Sequence, residues 1–454
     1  MNPDNELASN RLISVTQPVE GVTLASFLLH GYGQARFYWE NVRESVAFAG
    51  IGKALDLVAW GEDRWEQMDA RVRGVFHQAI IETPEPLATP RLFGGFAFRD
   101  DFVPDNTWAD FATAQLVLPH YQLVRVHDQH YLTINAQIPY GEDPFEMHSA
   151  LREALVAKSA ALQVPSTPLS NMPTPTEVAY PMTRDDWERI VTTATSRIQS
   201  GELSKVVLAR VAEIRFEERV NVDHALNYLA EAYPETYRFL FEPRPHVAFY
   251  GATPELLIEV KGKQLCTMGL AGSIRRGNTD NEDEALALQL LNDPKNRAEH
   301  QIVVDRIEAN LEPLVHHLDI GVTGVLQLSN IQHLYTPIQG ELARASGILP
   351  VVSQLHPTPA LGGEPRRVAL EMISELEPVP RGWFGAPIGW IDHERNGQFG
   401  VAIRSAIAQE KRVWLYAGCG IVADSEAQKE WDETALKFRP MLNALGVEES
   451  LIHG

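Results

Sequence analysis

The sequence predicts a layered α/β or α+β fold, and three observations carry that expectation. Helical and strand periodicities interleave along most of the chain. Between residues 237 and 268 four strand runs follow one another with only turns between them, unlike a barrel of regular strand–helix units. No internal repeat, low-complexity tract or apolar run of about 18 residues occurs, so solenoid, linker-rich and membrane-spanning architectures do not fit. The 454 residues, 44% apolar and 22% charged, suffice for one large or two medium domains.

Before residue 164, Phe93-Gly94-Gly95-Phe96-Ala97-Phe98 and His130-Tyr131-Leu132-Thr133-Ile134 read as antiparallel strands, and Pro144 to Leu162 as a helix. A Pro/Ser/Thr-rich run from Val164 to Met182, with Pro165, Pro168, Pro173, Pro175 and Pro181, reads as an extended connection. It separates residues 1–163, a structural subdomain without a catalytic cluster, from 183–447, with the two halves expected to share a core. Thr183 and Asp186 have the spacing of a capping box, and Trp187, Ile190, Val191, Ala194 and Ile198 share one face of a helix ending near Gly201. Strands are expected at 205–214, 237–242, 247–251, 256–260 and 264–268. Helices at 282–291, 297–314, 365–376 and 426–445 then alternate with strands at 385–391, 399–407 and 413–417.

The 39 basic and 60 acidic residues give a formal charge of −21, which is not a surface built for nucleic acid or anionic membrane. An anionic substrate would need local cations. Two cysteines, Cys266 and Cys419, without a CxxC pair, and a start lacking a secretory h-region, lead us to expect a cytosolic protein.

Lys205 sits in Ser204-Lys205-Val206-Val207-Leu208-Ala209-Arg210, an otherwise apolar strand. By itself it reads as an edge-strand lysine whose head reaches solvent. The sharper reading is a buried lysine able to take a proton from water. Glu255, in Thr253-Pro254-Glu255, is by itself a solvated turn residue, yet it is the acid that such a base would need as a partner. Glu299, and Glu430 with Glu433 at i and i+3, are either solvated helix charges or sparse carboxylates for a hard cation such as Mg²⁺. Gly418-Cys419-Gly420 and Arg404 offer backbone N–H groups and a fork for carboxylates, although a short Gly-x-Gly also serves ordinary tight turns.

In their order along residues 180 to 447 these segments resemble the chorismate-binding enzymes: isochorismate, salicylate, anthranilate and aminodeoxychorismate synthases. The pieces that carry the resemblance are the Lys205 strand, Ala252-Thr253-Pro254-Glu255, Leu270-Ala271-Gly272-Ser273, Ala298-Glu299-His300, Leu355-His356-Pro357-Thr358-Pro359-Ala360, Pro380-Arg381-Gly382-Trp383-Phe384, Ala402-Ile403-Arg404 and Gly418 to Ser425. The resemblance implies an α/β sandwich, two large β-sheets packed face to face with helices outside. It implies that Glu299 and Glu433, with Glu430 alongside, hold Mg²⁺, which grips the ring carboxylate of chorismate. Gly272, Ser273 and Gly420 would help seat that carboxylate, Arg404 would bind the enolpyruvyl carboxylate with Phe384 near it, His333 and Thr358 would line the ring pocket, and Gly418 would also bind the substrate.

A lysine at 205 resembles the water-using members, so the implied reaction makes isochorismate, with Lys205 as base toward C2 and Glu255 as acid toward the C4 hydroxyl. No amidotransferase subunit is expected. The N-terminal region looks more like the menaquinone-route enzymes than the siderophore-route ones. Phe384 stands where many relatives have tyrosine, Cys419 replaces a common alanine and Asn296 an acidic residue. The alternatives are a salicylate synthase, which would go on to eliminate pyruvate, and a catalytically idle metabolite-binding protein.

Overall fold

The computed structural model describes residues 10–447 apart from 42, 105, 140 and 166–170. Thr183 caps the helix Arg184–Gln199 as its spacing predicts: Thr183 Oγ1 accepts from the Asp186 N–H, and the Asp186 carboxylate accepts from the Thr183 N–H. The face bearing Trp187, Ile190, Val191, Ala194 and Ile198 is buried. Thr183→Ala removes one side of that reciprocal cap and should cost about 1 kcal/mol. A denaturant midpoint lowered at unchanged slope would report it, and an unchanged midpoint would show that tertiary packing alone sets this helix end.

The strands form two sheets, of thirteen and ten strands among the described residues. Their inner faces meet in an aromatic core in which Phe93 of the smaller sheet packs against Trp39 and Phe241 of the larger, each pair of ring centroids 6.2 Å apart. Helices cover the outside: Pro294–Leu311 lies on the strand Gln264–Arg275, Ala427–Ala444 on Arg412–Ile421, and Pro144–Leu162 on Asn10–Val19. Strands from both sides of the Pro-rich run pair with each other, Arg36–Glu40 with Tyr237–Arg244 and Arg91–Phe96 with Pro387–Asp392.

Two expectations need correction. Within the Pro-rich run, Pro175–Ala179 is a strand at one end of the larger sheet, paired with Lys205–Phe216; residues 166–170, including Pro168, lie outside the described residues. Residues 399–407 are not one strand. Gly397–Val401 belongs to the smaller sheet and Ser405–Gln409 to the larger, and the chain crosses between them at Arg404, a non-glycine residue with φ +50°. An apolar run buried on both faces carries no periodicity that would betray such a crossing.

The reverse passage occurs at Thr253-Pro254-Glu255, between Val247–Thr253 of the larger sheet and Leu256–Lys261 of the smaller. The two crossovers lie side by side. The Val401 N–H donates to the Glu255 carbonyl and the Ala252 N–H to the Arg404 carbonyl, both at 3.0 Å. Neighbouring crossovers thus bring Glu255 and Arg404 to one place.

Candidate active site

A pocket opens beside these crossovers, between the ends of both sheets and the helices carrying Glu299 and Glu433. Glu255 is 5% exposed on its wall. Burial raises its carboxyl to about 7, against the opposing pull of Lys205 and Arg404, so it is a neutral acid below neutral pH and keeps part of its proton at pH 7. Burial lowers Arg404 to about 10, leaving it cationic at neutral pH, and its Nη2 has no hydrogen-bond partner among the described residues. A buried, unpaired guanidinium N–H held on a strained backbone is a ready carboxylate donor.

Lys205, the first residue of its strand, is 0% exposed, which overturns the reading that its head reaches solvent. Its Nζ lies 2.9 Å from Glu299 Oε1, an ion pair whose alignment falls short of a hydrogen bond. Burial alone would raise the Glu299 carboxyl, but Lys205 reverses the sign and holds it below its ordinary value. Gly420 makes the meeting possible: a Cβ there would stand 2.3 Å from Glu299 Oε1 and 2.9 Å from Lys205 Cε.

On the opposite wall the strand Gln264–Arg275 shifts register between Ala271 and Ser273, and Gly272 takes φ +75° in that bulge. Ser273 Oγ lies 2.9 Å from His333 Nδ1. Burial holds His333 well below its ordinary range, hence neutral, and its buried Nε2 has no partner among the described residues. Phe384 closes another side, stacked on Tyr416 at 5.2 Å, and Tyr416 Oη accepts from the indole N–H of Trp108 at 3.1 Å. The N-terminal half therefore braces a wall of the site.

Of the expected residues, Glu255, Gly272, Ser273, Glu299, His333, Phe384, Arg404, Gly418, Gly420 and Glu433 line the pocket, whereas Lys205, Thr358 and Glu430 are buried without lining it. Lys205 touches Glu299 from behind. Glu430 is paired with Lys295 at 2.9 Å, and burial, then the charge of Glu433, raises its carboxyl. Sequence reasoning missed Lys437, which lines the pocket and donates to Glu433 Oε1 at 2.6 Å and to the Gly418 carbonyl at 2.9 Å. Its i+4 spacing from Glu433 was the available signal. No local signal marked Tyr416.

Among the described residues no three His, Cys, Asp or Glu side chains converge as a ready-made metal cage. The carboxylates of Glu299 and Glu433 are nevertheless hard oxygen donors on one pocket, with buried Glu430 close enough to feel the charge of Glu433. That donor set fits a cation such as Mg²⁺, which takes few protein carboxylates and completes its shell with other oxygens.

Residues 2–446 match the family described as chorismate binding enzyme. Among curated relatives, isochorismate synthase MenF of Bacillus subtilis is 36% identical over 448 residues, covering 96% of this chain and 94% of the relative. The salicylate biosynthesis isochorismate synthase of Pseudomonas aeruginosa is 37% identical over 410 residues, covering 90% and 84%. Among solved structures, the menaquinone-specific isochorismate synthase MenF from Escherichia coli superposes with a TM-score of 0.80 at 26% identity, covering 98% of both chains. Similarity spanning both sheets and every wall of the pocket leaves one assignment: the chain belongs to the chorismate-binding enzymes.

Proposed function

We propose that this protein is a Mg²⁺-dependent isochorismate synthase, adding water at C2 of chorismate as the C4 hydroxyl leaves. One observation supports the mechanism: Lys205 and Glu255 are both buried, and the lysine is near enough for its charge to act on the Glu255 carboxyl; we assign them opposite proton tasks. Lys205 takes a proton from the water that attacks C2. Glu255, neutral below about pH 7, gives its proton to the departing C4 oxygen. The ring double bonds shift, one water enters and one leaves, and the product is an isomer of the substrate. Similarity over nearly the whole chain to the isochorismate synthase MenF of Bacillus subtilis supports that product, and the likeness to the menaquinone-specific enzyme of Escherichia coli supports that route.

Arg404 binds the enolpyruvyl carboxylate, against which Phe384 sets an apolar wall without a hydrogen bond of its own. Gly272, Ser273, Gly418 and Gly420 seat the ring carboxylate, and His333 and Thr358 flank the ring. Glu299 and Glu433, with Glu430 alongside, would hold the metal; once bound, Mg²⁺ would supply Lewis-acid neutralisation of the ring carboxylate. No helix among the described residues is long and apolar enough to cross a membrane. We place the protein in the cytoplasm, acting without an amidotransferase subunit.

The test is a product assay with chorismate, separating isochorismate, salicylate, pyruvate and anthranilate. Isochorismate should dominate, should vanish on chelation with EDTA and should return with added Mg²⁺. Salicylate with pyruvate as the main product would move the protein to salicylate synthesis, and undiminished turnover after chelation would remove the metal from the mechanism.

A further inference from the structure

Each carboxylate assigned above to the cation carries a lysine of its own. Lys205 Nζ lies 2.9 Å from Glu299, Lys437 Nζ 2.6 Å from Glu433 and Lys295 Nζ 2.9 Å from Glu430. The three lysines come from three different places in the fold: a strand start, the helix that also bears Glu433, and the first turn of the helix that bears Glu299. Three ammonium groups on three carboxylates make a neutral set. A divalent ion entering it would leave an excess of two positive charges in a poorly solvated place unless ammonium groups withdraw.

We infer that Lys205, Lys437 and Lys295 compete with the divalent cation for these carboxylates, so that cation binding and release of Lys205 from Glu299 are a single linked event. The inference rests on the assignment of the cation to Glu299, Glu430 and Glu433. Its consequence for the reaction is one of order. While Lys205 is held behind the pocket wall by Glu299, its nitrogen faces that carboxylate; once a cation engages Glu299 the ammonium group is released, and only after giving its proton to solvent can the neutral nitrogen accept one from water. The same ion pairs keep the carboxylates neutralised until a cation arrives, and reciprocity requires that a lysine which weakens the cation be weakened by it to the same degree.

The strength of the competition should follow burial. The Lys205 side chain is 1% exposed, that of Lys437 14% and that of Lys295 35%, so solvent screens the last pair most. The experiment is calorimetric titration of the purified full chain with MgCl₂, without chorismate, comparing wild type with Lys205→Met, Lys437→Met and Lys295→Met. Lys429→Met serves as a control, because that lysine is 68% exposed and pairs with Glu426 outside the site.

Removing Lys205 should tighten Mg²⁺ binding by about 10-fold or more, Lys437 by less and Lys295 by about 2-fold, within the usual range of coupling between sites. The control should bind as wild type does. Unchanged or weaker binding by Lys205→Met and Lys437→Met would overturn the inference and leave the proposed activity standing. Absence of Mg²⁺ binding in wild type and all variants would overturn it together with the assignment of the cation. Should Lys205→Met fail to fold, the ordering of Lys437→Met above Lys295→Met, and of both above wild type, decides the matter alone.

Discussion

Replacing Lys205 with alanine is expected to lower isochorismate formation by about 10²–10⁴-fold, the usual worth of a positioned general base. The loss should fall on kcat with little change in KM, because Arg404 and the glycine-lined wall still hold the substrate's two carboxylates. Folding is expected to survive at a cost. Truncation leaves the Glu299 carboxylate without its ammonium partner, and breaking a fully buried pair in this way costs about 3–5 kcal/mol. Glu299 is 13% exposed and faces the open pocket, so the cost here should lie below that range. Steady-state product formation together with a thermal melt separates the two effects. A folded Lys205→Ala protein with wild-type turnover would remove the lysine from the mechanism. A protein that turns over slowly but binds Mg²⁺ more tightly would join this result to the competition inferred above.

The residues of this site are picked out by resemblance to the chorismate-binding enzymes, since local chemistry alone reads Lys205 and Glu255 as solvated; what local chemistry does mark is the element boundaries. Lys205 opens a strand as expected, and the helix Pro144–Leu162 and the Thr183 capping box stand where their spacing places them. The legible features depend on residues within a few positions of one another. The side-by-side crossovers at Glu255 and Arg404 do not, since they exist only when two sheets are already packed, and the apolar run through Phe399 to Ile407 reads identically whether the chain stays in one sheet or changes to the other. The same limit hid the wall formed by Trp108, Tyr416 and Phe384, in which a hydrogen bond spans 308 positions of chain and a ring stack joins a turn to a strand. Lys437 was within local reach, four residues beyond Glu433 on one helix. Its signal is weak because an i,i+4 ion pair on an amphipathic helix ordinarily faces solvent.

Glu255→Gln is expected to separate activity from stability in opposite directions. The amide fills the same space and cannot give a proton to the departing C4 oxygen, so turnover should fall by about 10²–10⁴-fold. Stability should move the other way in alkaline solution. The folded-state carboxyl is raised to about 7 from an ordinary 4.5, chiefly by burial, so the folded protein holds this proton more firmly than the unfolded chain does. The stabilisation that comes with it is fully present below about pH 4.5 and is lost as pH rises through about 7. Above that point the wild type holds a desolvated carboxylate whose cost is only partly offset by Lys205 and Arg404. Glutamine does not titrate. The melting temperature of Glu255→Gln relative to wild type should therefore climb between about pH 5.5 and 8.5, by an amount on the order of 1–3 kcal/mol in stability. In the wild type, kcat/KM should decline as pH rises through about 7, where the acid is lost. A relative stability that is flat across this window would show that Glu255 is not held neutral by its surroundings. A Glu255→Gln enzyme that turned over at the wild-type rate would place the proton donor elsewhere, and His333, another polar group on the pocket wall, would then have to be tested in the same way.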